Sequence, residues 1–188
     1  VLAAMADNAG GGAPSDATFL LKALLDRGIK NAVTGTYWDP IVTGLLTDAG
    51  IGATLDIRLG GKMGAMSGDP IDLTVTVRNI AHDMRQTFGE SSMPIGTVIW
   101  AEAQGLDIFI NDTRSQTFHP DAFTQLGIKL EDKSIICVKS SNHFYAGFAP
   151  IASEVIQVAT PGSITPEFAL IPFKKRDLNY WPRVENPW

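Results

Sequence analysis

Three short stretches hold most of the residue types that could bind or transform a small molecule. The first is "DNAGGGAPSDATFLLKALLDRG", in which Asp7, Asn8 and the consecutive glycines Gly10, Gly11 and Gly12 lie between an apolar run and a second apolar run. A strand, a glycine loop and a helix start can together cradle an anion. Successive N–H groups converge on one ligand, and the helix dipole favours negative charge there. Asp7 and Asp16 flank this loop and would repel an anion unless each is paired. The spacing is neither the dinucleotide fingerprint nor the phosphate-loop motif. A tight strand-to-helix turn without a ligand is the competing reading.

The second stretch is "LGGKMGAMSGDP", which sets Lys62 among four glycines with Arg58 just before them. A cation on such a loop suits a carboxylate, although an exposed lysine on a plain connection would read the same way. The third is "KSSNHFYAGF", where Lys139, Ser140, Ser141, Asn142 and His143 follow an apolar strand. Ligands gather at the carboxyl ends of parallel strands, and a histidine there could act as base, ligand or donor. Against this, Ser141 or Asn142 would cap a helix with His143 bonded to it. Asp39 in "YWDP" reads as a helix cap at the end of a strand. Arg114, Gln116 and His119 share one loop, with His119 and Pro120 opening a short helix. Cys137 reads as a small buried hydrophobe, and His82 as a surface residue.

The elements that must position these loops follow from periodicity. "VLAAMAD" is a buried strand and Phe19, Leu20, Leu24 and Leu25 form a helix stripe capped by Ser15 or Asp16 and closed by Gly28. "NAVTGTYW" is a strand, and Pro40–Ala49 a second helix closed by Gly50. Strand–helix–strand–helix order predicts a parallel α/β layer. From about residue 52 to 112 the pattern changes. "IDLTVTVRN" alternates strictly, and "GTVIWAEAQGLDIFIND" reads as a hairpin turning at Gln104-Gly105, so an antiparallel β insertion is expected there. Beyond it come a short helix over Pro120–Leu126, a strand in "SIICVKSS", a helix over Asn142–Ile151 and a strand in "EVIQVAT". The fold class expected is α/β, with a parallel-containing sheet flanked by helices. One domain over 1–173 and an extended arm over 174–188 complete the expectation.

Composition narrows the function classes. The 188 residues are 45% hydrophobic and carry a net charge of −5. No basic block would draw nucleic acid, and no apolar run is long enough to span a bilayer. The single cysteine, Cys137, excludes an internal disulfide framework and points to a cytoplasmic setting. The three histidines, 82, 119 and 143, are scattered, so no metal motif is present. The chain opens inside a strand and without a methionine, which reads as a piece of a longer protein.

The blocks "DNAGGGAPSDATFLLKALL", "TYWDP", "IRLGGKMGAMSGDPIDL", "DTRSQTFHPDAFTQLGI" and "VKSSNHFYAGFAPIA", taken together and in order, resemble the C-terminal domain of the microcystinase C (MlrC) family. That resemblance implies a larger N-terminal domain carrying zinc, so zinc is the expected cofactor but not one bound by this chain. It implies hydrolysis of a small peptide or amide at an inter-domain site. Asn142, His143 and Arg114 would serve the chemistry. Asp7, Asn8, Gly10, Gly11, Gly12, Asp16, Asp39 and Lys62 would contact substrate or an anion, the glycine N–H groups by facing a carboxylate or oxyanion. Ala9 stands where the family usually has proline, and Asn142 and Tyr145 where glutamine and arginine are expected. The last change removes a positive charge near the implied site. A stand-alone anion-binding module and a purely structural, dimerising domain remain as alternatives, the latter with a second copy of the chain as partner.

Overall fold

The computed structural model describes residues 1–188. Eight strands form a single sheet: β1 (Leu2–Ala4), β2 (Ala32–Trp38), β3 (Thr54–Leu59), β4 (Ile71–Phe88), β5 (Ser91–Ala103), β6 (Leu106–Asn111), β7 (Ile135–Val138) and β8 (Ile156–Val158). Their order across the sheet is β3-β4-β5-β6-β2-β7-β1-β8. From β6 to β8 every pair is parallel, and from β3 to β6 every pair is antiparallel. The antiparallel stretch expected near residues 52–112 is present and continues the parallel strands edge to edge, with β6 belonging to both. The hairpin turn does fall at Gln104-Gly105, both with positive φ.

The helices are α1 (Phe19–Asp26), α2 (Pro40–Ala49), α3 (Asp121–Thr124) and α4 (Tyr145–Phe148). They cover both faces of the sheet. Leu21 and Leu24 of α1 and Val42 and Leu46 of α2 pack with Ile57, Val75, Ile99, Ile108 and Ile110. On the opposite face Phe123 and Phe148 pack with Val33, Val98, Phe109, Ile136 and Val138. Alternation along β6 explains the division, since Ile108 and Ile110 point one way and Phe109 the other. No helix is long and apolar enough to cross a membrane.

Two helix starts differ from expectation. Asp39 does cap α2, accepting from the Val42 N–H, with Pro40 next to it. The residue before α1 is Thr18, which makes no side-chain cap, so neither Ser15 nor Asp16 has that role. Asp16 is drawn instead to donors on a different loop, described below. The helix expected over Asn142–Ile151 shortens to α4 followed by a 3-10 turn over Ala149–Ile151. Pro150 there lacks the N–H that a continuing helix would use. The arm at 174–188 folds back on the segment before it: Tyr180 is buried, and its hydroxyl donates to the Phe168 carbonyl at 2.7 Å.

Candidate functional site

The loops that follow β1, β2, β6 and β7 all lie at the carboxyl ends of parallel strands, and hydrogen bonds tie them into one surface. Lys139, the residue after β7, is the centre of this network. Its ammonium donates to Asp7 Oδ2 at 2.9 Å and to the carbonyls of Ser15 at 3.0 Å and Ala17 at 2.9 Å. It also sits 3.9 Å from the centre of the Tyr37 ring. Burial pushes its pKa down, and the Asp7 charge opposes that shift. Asp7 accepts in addition from the N–H groups of Ser15 at 2.8 Å and Ala17 at 2.7 Å. One lysine and one aspartate thereby fix the loop that runs from β1 to α1.

Asp16 joins this loop to the Lys62 loop. It accepts from the N–H groups of Lys62 at 2.8 Å and Met63 at 3.0 Å and from the Ser67 hydroxyl. Asp39, buried at the end of β2, accepts from the Gly60 N–H and from the Lys62 ammonium. The Lys62 charge is therefore matched inside the chain. On the other side of the glycine loop, Asn8 donates to the Ser141 hydroxyl at 2.8 Å, and Ser140 donates to Gln116 at 2.9 Å. The three polar stretches are thus neighbours in space.

The glycine run departs from the expected anion cradle. The Gly10 N–H donates to Asn8 Oδ1, the Gly11 N–H to the Asn8 carbonyl and the Gly12 N–H to the Ala9 carbonyl. All three donors are used within the loop, so none is left aimed at a ligand. Packing accounts for Gly10 and Gly11. A Cβ on Gly10 would fall 1.9 Å from Gln116 Nε2, and one on Gly11 would fall 2.4 Å from Ile164 Cδ1. Gly12 turns the chain with φ +97°.

Asn142, His143 and Arg114 present a contrast. All three are exposed, and none of their side chains hydrogen-bonds within the chain. Ser141 receives Asn8 rather than capping a helix, and His143 is not bonded to a cap. The His143 ring meets the edges of Phe88 at 5.2 Å and Phe118 at 5.9 Å. Phe88 ends β4, a strand of the antiparallel region that runs 18 residues to reach this place. It is pinned by neighbours: Gln86 donates to the Gln116 carbonyl and accepts from the Phe118 N–H, while Thr87 donates to Asp121. His119 lies beside the same helix start, with Nδ1 accepting from the Asp121 N–H. His82 is exposed near Thr97, and burial pushes the Cys137 thiol up to about 12.

Phe88, Phe118 and Tyr37 were not singled out in the sequence. Lys139 carried a readable signal: a lysine directly after a fully apolar strand must either turn outward or be paired. The residues present do not fit a zinc ion. No group of three or more His, Cys, Asp or Glu side chains could hold a metal, and both oxygens of Asp16 already accept internal donors.

Comparison with known proteins follows the same lines. The profile of the family described as MlrC C-terminus matches residues 2–175. Microcystinase C of Sphingomonas sp. is 34% identical over 182 residues, covering 97% of this chain and 35% of that protein. A crystal structure of a metallopeptidase-like protein from Mesorhizobium sp. BNC1 superposes with a TM-score of 0.82 at 21% identity, over 100% of this chain and 39% of the other. The second likeness bears on the fold alone. In both cases the chain spans little more than a third of the relative's length.

Proposed function

Because the chain belongs to the MlrC C-terminal family, we propose that it is the substrate-side domain of a longer zinc-dependent peptide or amide hydrolase. One observation carries the reading. Among the polar residues at this end of the sheet, Asn142, His143 and Arg114 have unspent side chains on a base whose own charges are matched internally. Such a base holds exposed groups in place without competing for the substrate. Metal chemistry, which activates water or polarises a carbonyl, would come from the remainder of the longer protein. In this chain Asn142 and His143 would bind or orient the scissile group, and Arg114 would hold a carboxylate. Asp7, Asn8, Asp16, Asp39, Lys62 and the loop Gly10–Gly12 would act by fixing the loops beneath them. The remaining part of the same polypeptide is the expected partner, and the compartment the cytoplasm.

The test is steady-state hydrolysis of linear peptides by the full-length protein. His143→Ala is expected to lower kcat/KM tenfold or more, equivalent to at least about 1.4 kcal/mol of transition-state stabilisation. Asn142→Ala and Arg114→Ala should have smaller effects, the latter mainly on KM. If all three variants stay within twofold of the parent, the reading is wrong.

A further inference from the structure

A large open cavity lies beside the candidate site. It is a groove of about 830 Å³ between the segment after β8 and the loops at Met5 and Met66. Met5, Met66, Ile164, Phe168 and Leu170 supply its apolar surface, and Glu167 is the one charged residue lining it. Met66, Phe168 and Leu170 are exposed, as is uncommon for so many large apolar side chains in one place. The size suits a small molecule or a few residues of peptide.

The backbone narrows the choice. The N–H groups of Thr160, Gly162 and Ser163 donate to nothing in the chain, although all three residues line the groove. For Gly162 this is a buried residue, set so close to Ala6 that a Cβ would fall 2.4 Å from its carbonyl oxygen. The preceding strand, β8, is the sheet's edge and has no neighbour on its far side. Three unpaired backbone donors within four residues, interrupted only by Pro161, beside apolar walls match one chemistry in particular. An extended peptide offers carbonyl oxygens along its main chain and side chains to either side.

The groove also continues into the site. Ile164 lies over Gly11, the Ile164 N–H donates to the Ala6 carbonyl beside Asp7, and Met66 precedes the Ser67 that donates to Asp16. We propose that this groove binds an extended, apolar, uncharged stretch of peptide, with its carbonyls on the N–H groups of Thr160, Gly162 and Ser163. The identification of that peptide as substrate rests on the hydrolase reading above. The methionines would let the groove adapt to differing apolar side chains.

The experiment titrates this chain with two blocked tripeptides, acetyl-Leu-Phe-Leu-amide and acetyl-Ser-Gln-Ser-amide, followed by amide chemical shifts. The apolar peptide is expected to shift the Thr160, Gly162 and Ser163 resonances saturably in the millimolar range or below, and the polar one to leave them in place. Met66→Glu and Leu170→Glu alter exposed side chains and should raise Kd about tenfold while the rest of the spectrum is unchanged. No saturable shift, equal shifts with both peptides, or indifference to both variants overturns the proposal. Turnover separates the two readings. If the full-length protein cleaves peptides and Met66→Glu leaves kcat/KM unaltered, the groove is not a substrate site and the hydrolase reading stands. If the groove binds as expected and no peptide is cleaved, the hydrolase reading fails and the peptide groove stands.

Discussion

The two halves of the sheet handle charge in opposite ways. In the parallel half, Lys139, Asp7, Asp16 and Asp39 are buried, and each satisfies two backbone groups: Asp7 within its own loop, Lys139 and Asp16 on loops distant in sequence, and Asp39 on one such loop and at the start of α2. In the antiparallel half, Arg58–Asp72 and Arg78–Glu102 pair across adjacent strands at the surface. Strands β3 to β6 already hold one another through ladder hydrogen bonds. Their ion pairs add little, because water screens them and competes for both partners. The loops of the parallel half have no such ladder. Their backbone groups need partners of another kind, and buried carboxylates and an ammonium supply them. A site built on loops can therefore be as rigid as the sheet beneath it, but only while those few charges stay matched.

The largest break in this contrast should come from Lys139→Met. It leaves Asp7 charged and buried without its partner, at a cost of about 3–5 kcal/mol, read as a fall in the thermal midpoint. Adding Asp7→Asn should recover part of the loss. The pH dependence sharpens the same point. Burial lowers the folded pKa of Lys139 below its unfolded value, so between the two the unfolded chain holds more protons. Stability contributed by this residue therefore rises with pH across that window, and the rise should vanish in Lys139→Met. Above pH 10 buried Tyr37, whose pKa is raised by desolvation, acts in the opposite direction.

Asp16→Ala comes next. Three donors lose their acceptor, for a loss of about 2–3 kcal/mol, and the Lys62 and Met63 amides should exchange with solvent faster than those of the strands. Gly10→Val is expected to cost about 1–3 kcal/mol by displacing the Gln116 amide, measured by denaturant titration. The smallest effects belong to the other half. Arg78→Ala should cost less than about 1 kcal/mol, while Glu102, held below the ordinary carboxylate range chiefly by Arg78, titrates at higher pH in the variant. Arg58→Ala should leave the unfolding midpoint within error. A large effect there, or a small one at Lys139, would dissolve the distinction between the halves.

Much of the architecture was legible because it is local. Apolar alternation marked β4, a hairpin pattern marked β5 and β6, and strand–helix order marked the parallel layer, whereas β3 was not marked as a strand of its own. The Asp39-Pro40 pair marked the start of α2. The site was legible as three stretches but not as an arrangement. Nothing local in "PSDATF" says that Asp16 serves the backbone of Lys62, a residue 46 positions away. Nor could the alternation of β4 show that Phe88 would end beside His143. The glycine run misled for a physical reason: a row of glycines is equally suited to a ligand's approach and to the close packing of Gln116 and Ile164, and sequence does not distinguish the two.

The placement of β1 has a consequence for how the chain acquires its fold. β1 pairs with β7 on one side and β8 on the other, through contacts such as Leu2 with Cys137 and Leu2 with Ile156. On the ribosome, the earliest strand of this sheet must wait until the segment 135–158 has emerged before it has any neighbour. Hairpins β3–β4 and β5–β6 can close long before. The loops bearing Asp7 and the glycines would thus be the last of this sheet to assemble, and an apolar strand would remain without sheet partners while the segment between β1 and β7 is made.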